Sequence, residues 1–318
     1  MKTFFGMCDA SAAVALEYGF FAVGDDEGNV LRVYHSRAGE MPVQTLELSK
    51  FLGVSGKEEE ADIEGAARIG QKAFWITSHG RNFDGKERPS RQKFFATSIL
   101  ATNGTVSLAP FGQPYNRLLA DLCAEPRLKR FNLAAASRRA PKSPGGLNIE
   151  GLAATSDGHL LIGFRNPLPR GQALVVPLLN PDEMVKGGKA KLGEPVLLPL
   201  GGKGIRSIDE WHGQFLVVAG SFEGGGRSDL YLWNGDTAKP ELMRRPYHGQ
   251  FNPEALAAFP ALGEDELLII SDDGNVMIAG KPCKKLTDPM QKRFRAELVP
   301  GSAVVPRHRK AAGSEEEE

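Results

Sequence analysis

Three glutamates stand in one short phrase that recurs along the chain. The copies are Asp62-Ile-Glu64-Gly, Asn148-Ile-Glu150-Gly and Asn252-Pro-Glu254-Ala. Each copy is followed by small residues, a turn and an apolar strand pattern. Recurrence at long spacing indicates repeated structural units, so the three glutamates are predicted to occupy equivalent places. Carboxylates that converge around a symmetric ring offer the oxygen ligands preferred by Ca²⁺ or Mg²⁺.

Two further segments fit the same pattern with the glutamate replaced, by Ser11 in one and by Arg206 in the other. We call these five aligned residues the column: Ser11, Glu64, Glu150, Arg206 and Glu254. Apart from one longer step, they lie about 50 residues apart, close to the length of a propeller blade. We therefore predict an all-β fold, a β-propeller of about five blades, or six if the longer step hides one.

The longer step contains a segment that lacks strand alternation. Residues 113–140 include Leu118-Leu-Ala-Asp-Leu-Cys123, whose apolar spacing is helical. We expect a single propeller domain over residues 1–303, with this short helical insertion. Residues 304–318 are charged and poor in apolar residues, so a disordered tail is expected.

A polar site is predicted at one mouth of the central channel. In an antiparallel hairpin the start of the first strand and the end of the second lie at the same edge, so the loops after the second strands should surround the column. These loops are rich in charge and amide groups. The candidate metal ligands are Glu64, Glu150, Glu254, Asp25 and Asp272. The candidate ligand-binding residues are Arg81, Asn82, Arg88, Arg91, Asn148, Asn166, Arg206, Ser207 and Asn252.

These residue types fit a divalent-metal-dependent hydrolase of an anionic ester or phosphoester. A cation polarises the ester and lowers the pKa of a bound water, while arginines neutralise the anion. The candidate catalytic residues are His79, Glu150 and Arg165, with His79 as a proton shuttle. The expected cofactor is Ca²⁺ or Mg²⁺, with no nucleotide or organic cofactor, and the expected partner is a small anionic ligand.

Other interpretations of the same residues stay open. Acids and arginines at a crowded channel mouth also pair with one another and tie blades together. Asp25 and Asp272 stand in turn-like segments, where Asp is favoured for backbone reasons alone. His79 also fits a hydrogen-bonded loop residue. The alternative function is a non-catalytic scaffold that binds a protein or another ligand on the same face.

The composition of the chain limits its expected binding partners and its expected cellular compartment. The chain has 39 basic and 39 acidic residues, so no net charge draws it to nucleic acid or an anionic membrane. No apolar run reaches about 18 residues, so no membrane span is expected. Asp9 interrupts the apolar start before the apolar region of a signal peptide can form.

Cys8, Cys123 and Cys283 are far apart and odd in number, so we predict free thiols in a reducing, cytoplasmic setting.

Several longer motifs resemble those of the bacterial family catalogued as domain of unknown function 3616, from about residue 5 to 300. They are Met7-Cys-Asp-Ala-Ser11, Glu60-Ala-Asp-Ile-Glu-Gly-Ala66, Ser78-His-Gly-Arg-Asn82, Arg88-Pro-Ser-Arg91, Gly145-Gly-Leu-Asn-Ile-Glu-Gly-Leu-Ala153, Ile162-Gly-Phe-Arg-Asn-Pro-Leu168 and Gly204-Ile-Arg-Ser-Ile208. The Glu-Gly-Leu-Ala phrase is also similar to one in propellers described as having an esterase-like activity of phytase. The first resemblance implies the fold, and its family name carries no activity.

Overall fold

Runs of apolar and β-branched residues, broken at short intervals by turns, fold into antiparallel hairpins. The turn at Asn103-Gly104 is one example, since both residues have positive φ, 52° and 76°, as a type I′ hairpin turn requires. The computed structural model describes residues 1–54, 59–236, 239–247 and 251–307. Within these ranges the chain forms five four-stranded antiparallel sheets, arranged as the blades of a β-propeller. The predicted fold class and the blade number of five are confirmed.

The elements follow one another with short connections, several of them 3₁₀ turns. The strands are β1 (Lys2–Phe5), β2 (Ala10–Ala15), β3 (Phe20–Asp25), β4 (Val30–His35), β5 (Gln44–Glu47), β6 (Ile63–Ile69), β7 (Lys72–Thr77), β8 (Phe94–Thr102), β9 (Thr105–Tyr115), β10 (Asn148–Ala154), β11 (Leu160–Asn166), β12 (Ala173–Leu178), β13 (Val196–Leu198), β14 (Gly204–Trp211), β15 (Gln214–Gly220), β16 (Asp229–Trp233), β17 (Glu241–Leu242), β18 (Pro253–Ala258), β19 (Glu266–Ser271), β20 (Met277–Ile278), β21 (Lys281–Pro282) and β22 (Arg293–Pro300). The α-helices are α1 (Ser49–Leu52), α2 (Leu118–Ala124), α3 (Leu133–Ala136) and α4 (Pro181–Met184).

Blades 1 to 4 each use four consecutive strands, β2–β5, β6–β9, β10–β13 and β14–β17. Blade 5 consists of β18, β19, β22 and β1. The first strand of each blade is innermost, and β2, β6, β10, β14 and β18 contact one another in a closed ring around the channel. These strands are almost entirely buried, because both of their faces meet neighbouring blades. The ring therefore places the start of every blade at the same end of the channel.

Blade 5 is closed by the chain's first strand, which the sequence analysis did not foresee. The apolar patterns at Val276–Ala279 and Ala296–Val299 predict two later strands of this blade; the second is confirmed as part of β22, and the first is wrong. Instead β20 and β21 form a separate small hairpin, β22 is the third strand, and β1 pairs with it as the fourth. Phe4 fixes β1 by packing against Phe21, Tyr34 and Phe294. Local periodicity carries no trace of a pairing between the two ends of a chain.

Ring closure also brings two cysteines together. Cys8 and Cys283 form a disulfide between the connection that leads from β1 to β2 and the segment that precedes β22. The prediction of free thiols is wrong for these two residues, because it rested on sequence spacing and the fold sets spatial spacing. Cys123, in α2, is a free and half-buried thiol. Disulfides persist mainly in oxidising compartments, so this bond weighs against the reducing setting expected above.

The helical insertion lies between blades 2 and 3. Leu118, Leu122 and Leu133 pack into the apolar core that these two blades share. The chain then returns to the channel mouth through residues 140–147, where the Asn166 side chain donates hydrogen bonds to the carbonyls of Pro141 and Ser143, both 2.8 Å long. The insertion therefore contributes a wall to that mouth.

The end of the described chain is attached to blade 4. Pro306 forms an isolated bridge with Met243, and the Arg307 N–H donates to the Leu242 carbonyl at 2.9 Å. Residues 308–318, most of the tail that was expected to be disordered, lie outside the described residues. Among the residues that are described, no helix is both long and apolar enough to cross a membrane.

Candidate functional site

Every column residue lies at a β-bulge. In each innermost hairpin the pairing register shifts at the same place, so one residue of the inner strand has no partner opposite it; the hairpin of β10 and β11 has a second shift, between Asn148 and Ile149. The residues at these five shifts are Ser11, Glu64, Glu150, Arg206 and Glu254. A bulge bends its strand and changes the direction of the extra side chain. The repeated phrase of the sequence is therefore the trace of a repeated bulge.

The bulges surround a cavity of about 1450 Å³ at one end of the channel. Four column residues line it, and Ser11 does not. The Ser11 hydroxyl instead donates to the Ile63 carbonyl at 2.6 Å, which ties blade 1 to blade 2. The remaining lining comes from loops on the same face, including residues 140–143 and 224–228. The cavity is large enough for a small organic molecule.

The three repeated glutamates converge in this cavity, and we call them the glutamate triad. Glu64, Glu150 and Glu254 each place one carboxylate oxygen so that all three oxygens lie within 4.8 Å of one another. That separation fits one sphere of oxygen ligands about 2.4 Å from a central Ca²⁺. All three side chains are buried, and Glu150 is 2% exposed.

Two arginines compensate part of this charge. Arg165 Nη1 donates to Glu150 Oε1 at 2.6 Å, and its Nε donates to the Ser221 carbonyl at 2.9 Å. Arg206 pairs with Glu254 across the boundary between blades 4 and 5. Charges this deeply buried require such partners. Two members of the triad are thus tied to arginines, as the ion-pair interpretation of the sequence anticipated.

Glu64 is different from the other two members. It is 8% exposed, yet no hydrogen bond or ion pair joins its carboxylate to another described residue. Burial raises the pKa of the Glu64 carboxyl well above its usual range, and the nearby Glu150 and Asp62 carboxylates raise it further. In addition, Glu150 Oε2 is buried without a hydrogen-bond partner among the described residues. Buried oxygens without donors favour a bound proton or a bound cation.

A second acidic group shares Glu64, and we call it the aspartate group. Asp26, Asp62 and Glu64 also bring one oxygen each to within 4.8 Å of one another. Arg91 Nη1 pairs with Asp62 at 2.9 Å, and Arg91 also pairs with Glu60. Burial raises the pKa of Asp26 well above its usual range, as do the Asp9 and Asp25 carboxylates beside it.

The structure divides the residues that the sequence suggested. Among the described residues, those that line the cavity are Glu64, Arg91, Asn148, Glu150, Arg165, Arg206, Asn252, Glu254 and Asp272. Those that do not line it are Asp25, His79, Arg81, Asn82, Arg88, Asn166 and Ser207. Members of the second set have local roles; for example, the Asn82 side chain accepts from the Lys86 N–H, and Ser207 accepts from the Leu256 N–H of the next blade.

His79 and Asp25 depart most from their suggested roles. His79 is 2% exposed, and its Nδ1–H donates to the Thr77 carbonyl at 2.7 Å. Burial lowers the pKa of this imidazole to about 4, so it is neutral and turned into the protein. Asp25 accepts from the Glu27 N–H at 3.0 Å, while the next residue, Asp26, lines the cavity. A shift of one position reverses the direction of a side chain at a strand end.

Sequence reasoning missed several lining residues. Lys142, Arg227, Tyr247 and Phe251 all line the cavity. Lys142 and Arg227 are exposed there, and neither side chain has an ion-pair partner among the described residues. Tyr247 and Phe251 form an aromatic pair with ring centroids 5.3 Å apart. Nothing in the repeat pattern marks them, since they lie outside the aligned strands. Asp62, two positions before Glu64 in the phrase, was visible in the alignment.

Two solved structures are similar to this chain over most of its length. The structure of a putative oxidoreductase (glucose dehydrogenase) from Thermus thermophilus is 13% identical, with 94% of this chain and 99% of that chain covered and a TM-score of 0.44. The PQQ-bound aldose sugar dehydrogenase from Streptomyces coelicolor is 12% identical, with 94% and 97% covered and a TM-score of 0.43. Neither similarity bears on the activity of this chain.

Sequence comparison identifies the family. No curated protein matches the sequence. Residues 101–276 match the family model described as "Protein of unknown function (DUF3616)". These residues run from the end of β8 to the loop after β19, so they include the column positions of blades 3, 4 and 5. The chain belongs to the DUF3616 family.

Proposed function

We propose that the channel mouth binds a divalent cation at the glutamate triad and uses it to hold and hydrolyse a small anionic ester, with a phosphoester as the first candidate. The observation that carries this proposal is the convergence of Glu64, Glu150 and Glu254, whose oxygens lie within 4.8 Å of one another. Ca²⁺ or Mg²⁺ suits such oxygen ligands. No organic cofactor is needed for this chemistry.

Two positively charged side chains on the cavity wall support the proposal of an anionic ligand. Lys142 and Arg227 line the opening without carboxylate partners among the described residues. Arg165 and Arg206 are already paired with glutamates, so they hold the triad in place. A bound anion would thus meet the two unpaired side chains first and a cation held at the triad second. Charge-assisted contacts of this kind are the strong ones in phosphate recognition.

Hydrolysis at this place requires only water as the second reactant. The water oxygen forms a bond to phosphorus, the bond from phosphorus to the ester oxygen breaks, and one water proton passes to the leaving alcohol. A cation at the triad would lower the pKa of that water and withdraw charge from the ester. His79 has no part in this proposal, because its ring does not line the cavity.

The first experiment measures cation binding. The protein is stripped with EDTA, and thermal unfolding is followed with and without Ca²⁺ or Mg²⁺ for wild type, Glu150→Gln and Glu47→Gln. Glu47 is an exposed glutamate on β5 and serves as the matched control. A cation at about 100 times its Kd adds about 2.7 kcal/mol, so the wild type and the control should melt several degrees higher. Glu150→Gln should show no such shift.

The second experiment tests turnover. Cation-loaded protein is assayed with p-nitrophenyl phosphate, bis-p-nitrophenyl phosphate and p-nitrophenyl acetate. Activity that is lost in Glu150→Gln and kept in Glu47→Gln supports hydrolysis. Cation binding without turnover limits the site to ligand binding. No cation binding at all overturns the proposal and favours the scaffold alternative, in which the Arg165–Glu150 pair only stabilises blade 3 and the Arg206–Glu254 pair only ties blades 4 and 5 together.

A further inference from the structure

Glu64 belongs to two groups of acids at once. It shares the glutamate triad with Glu150 and Glu254, and it shares the aspartate group with Asp26 and Asp62. Three elements bring the second group together: Asp26 follows β3 of blade 1, Asp62 directly precedes β6, and Glu64 lies at the bulge of β6 in blade 2. The two groups therefore lie side by side, with the Glu64 carboxylate between them.

Two of the three members of the aspartate group are short of partners; Asp62 is not, since Ser78 and Arg91 both contact it. Glu64 is 8% exposed and has no hydrogen bond or ion pair with a described residue. The Asp26 Oδ1 atom is buried and has no hydrogen-bond partner among the described residues. Arg91 pairs with Asp62, but it also pairs with Glu60, so one guanidinium serves two carboxylates. A buried carboxylate without a donor carries a large desolvation cost, which a bound cation removes.

We propose that the aspartate group is a second divalent-cation site, and that Glu64 bridges the two cations. This inference rests on the proposed function, because the first cation is the one at the triad. Asp26 and Asp62 then hold the second cation from blade 1 and blade 2. A pair of cations joined by a carboxylate is the arrangement that clamps both the attacking and the leaving oxygen of a phosphoester. The substrate class is accordingly a phosphomonoester or phosphodiester.

The inference predicts a stoichiometry of two. Calcium is titrated calorimetrically into EDTA-stripped protein, and bound metal is counted after gel filtration by elemental analysis. Wild type should bind two equivalents. Asp62→Asn should bind one equivalent at the triad, and so should Asp26→Asn. Glu64→Gln should bind neither cation tightly, because it removes the shared ligand. Glu47→Gln is again the matched surface control.

Two variants of the aspartate group are used, so that the test still gives a result if one of them does not fold. Asp26 lies in a loop and is only partly buried as a residue, so its amide is tolerated sterically. Circular dichroism and the cooperativity of unfolding are recorded for each variant. If Asp62→Asn does not fold, Asp26→Asn alone decides the matter.

The outcomes separate this inference from the proposed function. Two equivalents in wild type and one in Asp26→Asn support a bridged pair. One equivalent in wild type, unchanged in Asp26→Asn and lost in Glu150→Gln, overturns the pair and leaves the proposed function standing. No bound calcium in wild type overturns both. Two equivalents that persist in Glu64→Gln show that the cations lie elsewhere and also overturn the bridge.

Discussion

Glu64 and Glu150 occupy equivalent β-bulges in neighbouring blades, and each brings a carboxylate oxygen within 4.8 Å of the other. Among the described residues, Glu150 pairs with Arg165 and no arginine pairs with Glu64. Like charges at this separation repel, and burial weakens the screening that water provides. The pair is therefore unfavourable unless a proton or a cation lies between the two side chains.

Replacing Glu64 should affect stability with opposite signs in the two metal states. In EDTA, Glu64→Gln removes one repelling carboxylate, and we expect the free energy of unfolding to rise by about 1 kcal/mol. In millimolar Ca²⁺ the wild type should become the more stable of the two, because it alone gains binding energy. Urea unfolding in both buffers measures the crossover. A loss of stability in EDTA would contradict this picture and favour a purely structural role for Glu64.

Removing the Arg165 guanidinium should be strongly destabilising. Arg165→Met leaves the Glu150 carboxylate buried without its partner, which typically costs about 3–5 kcal/mol. The double variant with Glu150→Gln should recover much of this loss, since no charge is then left unpaired. Urea unfolding of the single and double variants gives the coupling energy. Arg130→Met, at an exposed arginine 3.8 Å from Glu194, is the control and should change stability by less than about 0.5 kcal/mol.

His79 should make the protein sensitive to acid. In the folded protein its pKa is about 4, below the ordinary value of 6.5. Its contribution to the free energy of unfolding is therefore complete above pH 6.5 and is lost as the pH falls toward 4. The lost stability amounts to about 2 kcal/mol between pH 7 and pH 5. In His79→Asn this part of the pH dependence should disappear. Asn tolerates the left-handed backbone found at this position, φ 54°, and can still donate to the Thr77 carbonyl.

His212 offers a matched control for that experiment. It has a similar left-handed φ of 51°, but its side chain is 53% exposed. The acid-dependent loss of stability assigned to His79 should still be present in His212→Asn. Equal slopes for wild type and His79→Asn would show that His79 does not resist protonation.

The disulfide should contribute measurable stability. Cys8→Ser is expected to lower the free energy of unfolding by about 2–5 kcal/mol under oxidising conditions. Reductant should lower the stability of wild type by a similar amount and leave Cys8→Ser unchanged. Cys123→Ser should respond to reductant as wild type does, since Cys123 is not bonded. A wild type whose unfolding is insensitive to reductant would contradict the bond between Cys8 and Cys283.

The positively charged side chain of Lys142 on the cavity wall should contribute to the affinity for an anion. In calcium-loaded protein, Lys142→Met is expected to weaken the binding of inorganic phosphate about tenfold, because one charge-assisted contact contributes about 1.5–3 kcal/mol at most. Lys129→Met, at an exposed lysine of the insertion that does not line the cavity, is the control. Calorimetry with phosphate measures both. Unchanged affinity in Lys142→Met would place the anion elsewhere in the cavity.

The sequence predicted the features that repeat. The phrase around Glu64, Glu150 and Glu254 marked the innermost strands and their shared edge, because every blade has a bulge at the same place in its innermost strand. Features that occur once left no periodic trace. The pairing of β1 with β22, the Cys8–Cys283 bond and the choice of Asp26 over Asp25 depend on long-range contacts or on a single residue of register.

The sequence also did not predict which charged residues form ion pairs with one another. Arg165 pairs with Glu150 inside one blade, whereas Arg206 pairs with Glu254 across a blade boundary. The alignment showed that both arginines lie near the triad but not which acid each one contacts. It therefore left both the ion-pair and the metal interpretation open, and in the part of the chain that the structure describes, arginines pair with two of the glutamates and none pairs with Glu64.

The bond between Cys8 and Cys283 spans 275 residues of sequence and turns most of the chain into a covalent circle. All five column positions, from Ser11 to Glu254, lie within that circle. A single protease cut at any loop between the two cysteines would open the circle without dividing the molecule, and the two pieces would separate on a gel only after reduction. The propeller is therefore closed twice, once by strand pairing and once by a bond that survives unfolding.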